Sequence, residues 1–391
     1  MSVSGSQFTR WTARVLDRAL SPVLGRRPSG TRAGRILLIK THALGDVLMT
    51  SPAVRLLRDR LPDAELIFLT GRSAAPLLEG NPHLDRVVPV SEGRLLHRRP
   101  GAVRETVRLI RGLGCETAVI FHPAWPMHLL ARLARVPVRW GFERQGSGFS
   151  LSTAVPWRGD NDRGYVVDDY LRLAAAAAGG GGAGDADRSL VLQPGPAVLE
   201  EAQALAAARG AKLTPPPVGL APGGGVNPRD RVPEKRWPAR RFAELADRLV
   251  VETGRPVWLF GSPGEAGLVR EVAGLMKEPA VDFSGATSLG SLAGLIGRLG
   301  LLVTVDSAPM HIALALGVPL VGLFGPTRAS ALLPGGHPLV RVVEAEMDCS
   351  PCYNNEPFPG CRQQRPCMET IGLEAVYNSC MELLSPGGGA R

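Results

Sequence analysis

From Arg35 onward, short apolar runs alternate with longer amphipathic stretches. This alternation restricts the chain to α/β folds built on a mainly parallel sheet. The apolar runs Arg35–Lys40, Glu65–Thr70, Arg86–Val90, Thr117–His122 and Val138–Phe142 are predicted strands, with helical patterns such as Asp46–Arg60 and Val103–Leu113 between them. The pattern then breaks. Residues 179–184 are five glycines and one alanine, and Pro194, Pro196 and Pro215 to Pro217 flank an Ala-rich helical stretch. Such segments make poor element interiors and good boundaries. Alternation restarts with Val218–Ala221, Pro256–Phe260, Ala280–Phe283, Leu301–Val305 and Pro319–Phe324. The expected organisation is an extension over 1–33, a first α/β domain over 34–195, a linker over 196–216 and a second α/β domain over 217–391, with a Cys-rich insertion at 349–367. Two such halves are expected to face a central cleft, with ligands beyond the carboxyl ends of the strands.

At 391 residues the chain can bury two cores, and 45% apolar with 21% charged residues is a globular composition. The most apolar region, Leu292 to Phe324, is interrupted by Arg298, Asp306 and His311, so no membrane span is expected. The first residues show no uninterrupted apolar core of a secretory signal, and a cytoplasmic location is expected. The formal charge of +9 points to an anionic partner. In the first 33 residues Arg10, Arg14, Arg18, Arg26, Arg27 and Arg32 face only Asp17, while Phe8, Trp11, Val15, Leu16, Leu20 and Leu24 recur at roughly helical spacing. That stretch reads either as a basic amphipathic helix on an anionic membrane or as a plain N-terminal extension.

Four segments carry the polar chemistry. In the first, Lys40-Thr41-His42-Ala43-Leu44-Gly45-Asp46 follows the first strand, and Gly45 is expected to permit the turn into a helix. Asp46 then stands at a helix start, either as an ordinary N-cap or as a carboxylate able to take a proton from a hydroxyl nucleophile. The second is Gly223-Gly224-Gly225 after the first strand of the second half, with Lys235-Arg236-Trp237-Pro238 beyond it. Successive glycines let backbone N–H groups surround an anion, although three glycines can equally be a simple loop. The spacing is neither a Walker loop nor a dinucleotide fingerprint, which disfavours ATP hydrolysis and NAD chemistry.

The third segment, Asp306-Ser307-Ala308-Pro309-Met310-His311, ends a strand and opens a helix whose free N–H groups suit a diphosphate. Ser307 adds a hydroxyl, and His311, one turn on, is either structural or functional. The fourth is Cys349-x2-Cys352-x8-Cys361-x5-Cys367. These cysteines could hold a structural zinc ion, remain free thiols or form redox-sensitive bridges. None is assigned a catalytic role.

In this order and spacing the segments resemble glycosyltransferase family 9, the heptosyltransferase family. The resemblance runs from about Arg35 to Ile371 and rests on Leu44-Gly45-Asp46-Val47-Leu48, Lys235-Arg236-Trp237-Pro238, Val305-Asp306-Ser307-Ala308-Pro309-Met310-His311 and Phe324-Gly325-Pro326-Thr327. It implies the GT-B architecture, with an acceptor-binding Rossmann-like domain followed by one that binds a nucleotide sugar. It further implies that Asp46 is the catalytic base and that Lys235 contacts the donor phosphate. Asp306, Ser307, Ala308, His311 and Thr327 take the positions of donor-site residues, beside the Gly223–Gly225 loop. Ser307 stands where many members have threonine, and the loop from Val226 to Glu234 looks longer than in the lipopolysaccharide enzymes. The implied reaction moves heptose from ADP-heptose to a lipid-linked saccharide without a metal cofactor, and no nucleic-acid partner is expected. The alternatives are a family-9 enzyme with another donor or acceptor, and a non-catalytic sugar-nucleotide-binding protein. If residues 1–33 dock on lipid, deleting them weakens co-sedimentation with anionic vesicles, and unchanged binding removes that reading.

Overall fold

The computed structural model describes residues 34–96, 100–144, 146–159, 164–225, 232–353, 358, 360–361 and 367–385. The extension over 1–33 lies outside the described residues. The chain divides into two compact units, Met1–Val191 and Leu192–Arg391.

The first unit is a six-stranded parallel sheet of β1 (Arg35–Ile39), β2 (Glu65–Gly71), β3 (Arg86–Val90), β4 (Thr117–Ile120), β5 (Val138–Glu143) and β6 (Thr153–Pro156). The spatial order is β3-β2-β1-β4-β5-β6. Strand β1 pairs on one side with β2 and on the other with β4, with Ile36 opposite Thr117 and Ile39 opposite Ile120. Helices cover both faces of such a sheet, so its central strands read as continuous apolar runs; Ile36, Leu37, Leu38 and Ile39 are all fully buried.

The second unit repeats the plan with β7 (Val218–Ala221), β8 (Val257–Leu259), β9 (Ala280–Asp282), β10 (Leu301–Val305), β11 (Leu320–Phe324) and β12 (Val340–Glu344), in the order β12-β11-β10-β7-β8-β9. Counted from its own first strand this is again 3-2-1-4-5-6, the doubly wound Rossmann order. The expected α/β class with two Rossmann-like domains is therefore what forms. Where chain order reverses, between β1 and β4 and between β7 and β10, the following helices run to opposite faces. A crevice opens there at the carboxyl ends of the strands.

Three details depart from the sequence reading. Strands β6 and β12 were not among the predicted runs. Thr153–Pro156 is only four residues long, and Arg341 interrupts the apolar run of Val340–Glu344, so neither gives a continuous apolar signal. The Ala-rich helical stretch expected within a linker over 196–216 is the helix Pro196–Ala208, and it belongs to the second unit, where it packs on the helix Leu289–Ile296. That packing needs glycine: a Cβ on Gly294 would lie 2.7 Å from Ala202 Cβ, and one on Gly290 would lie 3.1 Å from Val198 Cγ1. Finally, the helix predicted over Asp46–Arg60 is two helices, Leu44–Met49 and Ser51–Arg60. Pro52 has no N–H for the Leu48 carbonyl four residues earlier, and Ser51 Oγ donates to that oxygen instead at 2.6 Å. Among the described residues no helix is long and apolar enough to cross a membrane.

Candidate functional site

Each unit places a polar constellation at its own switch point. In the first unit the chain leaves β1 through Lys40 and Thr41 and enters the helix Leu44–Met49 by way of Ala43, whose φ is 64° and ψ 95°. The left-handed turn therefore falls on Ala43 and not on Gly45, which is already helical. A non-glycine residue there carries strain of about 1–3 kcal/mol. Neighbouring contacts fix the strained loop. The Thr41 N–H donates to His122 Nε2 at 2.8 Å, and the rings of His42 and His122 stack at 4.5 Å. Gly71 lacks the Cβ that would collide with the Thr41 carbonyl. Accepting from Thr41 requires an unprotonated Nε2, so His122 carries its proton on Nδ1. Beneath it, His128 is buried with Nε2 2.8 Å from the His122 carbonyl and Nδ1 3.0 Å from the Ser147 carbonyl. Burial lowers the His128 pKa, opposed by those two carbonyls.

Asp46 is a first-turn residue, not an N-cap: the cap position is Ala43, and no side chain caps this helix. Its Oδ2 accepts from Lys40 Nζ at 2.8 Å, and Oδ1 makes no hydrogen bond among the described residues. The two side chains differ sharply in exposure, 4% for Lys40 and 27% for Asp46. Lys40 also lies 5.6 Å from the ring centroid of Tyr170, which comes up from the helix Val166–Ala177. Burial, and then the charge of Asp46, push the Tyr170 phenol well above its usual range. The result is a partly exposed carboxylate on a buried ammonium and a neutral phenol.

In the second unit Lys235 ends a short 3-10 turn, Pro233–Lys235, and its Nζ meets Asp306 Oδ2 at 2.7 Å, just past β10. The helix Ala308–Ala315 follows. Ser307 does not cap it: its Oγ donates to the Val305 carbonyl at 3.2 Å and pairs with Thr304 Oγ1 at 3.1 Å. Residues Asp306 to Pro309 are half-buried, so this uncapped helix start is reachable, whereas His311 is buried within the helix. Thr327, past β11, is also buried, and its Oγ1 has no hydrogen-bond partner among the described residues.

The glycine loop has a different occupant from the anion expected there. Glu265, itself buried, accepts from the Gly225 N–H at 2.8 Å and from the Ser262 N–H at 2.9 Å. A Cβ on Gly223 would collide with that carboxylate, which gives Gly223 a steric reason. A loop closed on a carboxylate repels a diphosphate. The features of this unit that suit an anion are Lys235 and the helix start at Ala308, and Gly224 packs against Lys235, whose Cβ would be 3.1 Å from an added Cβ.

The cysteine segment lies against the same site. The N–H groups of Cys352 and Tyr353 donate to the Pro326 carbonyl at 2.9 and 2.8 Å, and Ser350 Oγ donates to the Gly325 carbonyl at 2.5 Å. The Tyr353 ring centroid is 5.2 Å from Lys235 Nζ. Among the described residues Cys349, Cys352, Cys361 and Cys367 form no disulfide. Burial, with Cys352 nearby, pushes the Cys367 thiol up to about 11. Among the described residues no three His, Cys, Asp or Glu side chains are grouped so that they could hold a metal ion.

Sequence reasoning thus singled out Asp46, Asp306, Ser307 and Thr327 beyond strand ends and Lys235 beyond the glycine loop, and gave no role to Lys40, His122, Tyr170, Glu265 or Tyr353. Two signals were available. Lys40 closes an apolar strand where a solvated lysine is out of place. Ser262-Pro-Gly-Glu265 is a legible capping box.

Comparison with known proteins adds the following. The model of glycosyltransferase family 9 (heptosyltransferase) matches residues 107–360. Lipopolysaccharide heptosyltransferase 2 of Salmonella typhimurium is 29% identical over 309 residues, covering 78% of this chain and 86% of the relative. A glycosyltransferase family 9 structure from Veillonella parvula superposes with a TM-score of 0.76 at 26% identity, covering 92% of this chain and 99% of that one. The ADP-heptose LPS heptosyltransferase II of Escherichia coli shares the fold with a TM-score of 0.70 at 24% identity, over 90% and 98% of the two chains.

The Lys235–Asp306 pair has side chains only 14% and 12% exposed. Lys235→Met therefore leaves an unpaired carboxylate in a poorly solvated place and should lower unfolding stability by about 3 kcal/mol in denaturant titration. Adding Asp306→Asn should recover most of the loss.

Proposed function

The chain belongs to glycosyltransferase family 9, and from that membership we propose that it transfers heptose from ADP-heptose to a lipopolysaccharide-core-type saccharide in one inverting displacement. The heptosyltransferase relative, matched over 86% of its length, supports the donor and acceptor classes. The observation that carries the chemistry is Asp46: a carboxylate at the switch point with one oxygen held by Lys40 and the other without a hydrogen bond among the described residues.

In this reading the acceptor hydroxyl oxygen forms its bond to the anomeric carbon as its proton passes to Asp46. The bond from that carbon to the diphosphate oxygen breaks on the opposite face, and the electron pair leaves with ADP. Negative charge then grows on the diphosphate, which Lys235 and the helix start at Ala308 suit by charge and dipole. An ammonium has three donors, so Lys235 can serve a phosphate while keeping Asp306. Donors already fixed in place can take the role of a divalent cation, and none is required here. The buried Thr327 hydroxyl offers a further donor. A lipid-linked, anionic acceptor places the work at a membrane face, which the formal charge of +9 supports.

Calorimetry with ADP, UDP and GDP, with and without EDTA, tests the donor: ADP should bind selectively and EDTA should not matter. Selective UDP or GDP binding would keep the mechanism and replace the donor. Asp46→Asn should lower kcat by about 100-fold or more while leaving ADP affinity unchanged. Near wild-type turnover would exclude Asp46 as the base.

A further inference from the structure

We propose that Lys40 is a positioning residue whose ammonium aims the Asp46 carboxylate, a claim that rests on the transferase reading above.

Three features of the first unit carry this. Lys40 is a lysine with almost no solvent: its side chain is 4% exposed, and a lysine of that burial needs an anionic partner. The partner in place is Asp46 at 2.8 Å, six residues along the chain, across the strained turn at Ala43. A flexible loop of this length would let the carboxylate wander. Here Lys40 directly follows β1, and its own N–H donates to the Leu69 carbonyl of β2 at 3.2 Å, so the cation is anchored to the sheet. The base is therefore referenced to the sheet through the ammonium rather than through the loop.

The second feature is the surroundings. Tyr170 faces Lys40 from the helix Val166–Ala177, at 5.6 Å from its ring centroid, and is completely buried. A neutral phenol and its ring face stabilise the ammonium without competing for its charge. His42 and His122 stand at the same loop, where the Thr41 N–H donates to His122 Nε2. Lys40 is the group that pairs with Asp46.

The third feature is division of labour between the carboxylate oxygens. Oδ2 is held by Lys40, so the planar group is oriented and Oδ1 is presented at one angle. A general base needs that fixed approach to the hydroxyl proton, and misplacement by about 1 Å costs on the order of 100-fold in rate. Sequence spacing alone could not supply this, because nothing in a Lys-x5-Asp pattern says that both side chains turn to the same side.

The test compares Lys40→Met, Lys40→Arg and the wild type. In the methionine variant kcat should fall about 100-fold with KM for both substrates within about twofold. Arginine keeps the charge and should recover most of the rate. Independently of turnover, the 13C-carboxyl signal of Asp46, assigned by its loss in Asp46→Asn, should shift at fixed pH in Lys40→Met and stay near its wild-type position in Lys40→Arg. Lys40→Gln, which retains a donor without charge, supplies the same comparison if the methionine variant does not fold. An unchanged Asp46 signal, or unchanged kcat, overturns the proposal. A wild-type chain that turns over no nucleotide sugar refutes the transferase reading instead, and the Asp46 carboxyl signal still decides what Lys40 does.

Discussion

Everything polar in this protein follows from the strand order 3-2-1-4-5-6, used twice. In a parallel sheet covered on both faces, central strands have no solvated side, and Ile36 to Ile39 are buried accordingly. Polar groups can collect only where a strand ends. They collect best where neighbouring connections diverge, because there the backbone N–H groups of the next helix have no helix packed over them. Lys40, Thr41 and Asp46 follow β1 and His122 follows β4; Gly223 to Gly225 follow β7 and Asp306 to Ala308 follow β10. The two constellations sit at corresponding positions of a repeated architecture.

Each constellation is built on a cation with little access to water and a carboxylate beside it. Removing such charges from water is expensive, and the attraction between partners offsets that only when geometry is good. Such pairs are weak evidence for stability as such, and they have a geometric consequence instead: a carboxylate bound to an anchored ammonium has one direction left to face. The two pairs differ in access. Asp46 is the more open of the two carboxylates, 27% exposed against 12% for Asp306. That contrast suits a group that must meet a hydroxyl in the first unit and a group that holds its lysine in the second.

The second site is also crowded in ways that fix its shape. Glu265 closes the glycine loop from one side, and the Cys349–Tyr353 segment lies across Gly325 and Pro326 from another, bringing Tyr353 to Lys235. The glycines answer to this crowding, since a side chain at Gly223 or Gly325 would run into Glu265 or into Cys367 and Met368. Their presence therefore reports tight packing around the site, whereas an exposed anion cradle would leave those positions open.

The sequence by itself determined the α/β class, the two halves, the central strands and the positions of Asp46, Lys235, Asp306, Ser307 and Thr327. Those signals are local: an apolar run marks a doubly covered strand, and a polar cluster just past it marks a strand end. The edge strands β6 and β12 escaped because neither has such a run: one is only four residues long, and Arg341 interrupts the other. Tertiary structure alone decided which charges meet. Lys235 and Asp306 are 71 residues apart and Tyr170 reaches Lys40 from a helix 126 residues on, distances over which no spacing rule operates. Even Lys40 and Asp46, only six residues apart, face each other because Ala43 takes a left-handed turn that the sequence suggests for Gly45. A side chain's partner is set by where the sheet order brings its strand end, and that order is a property of the whole fold.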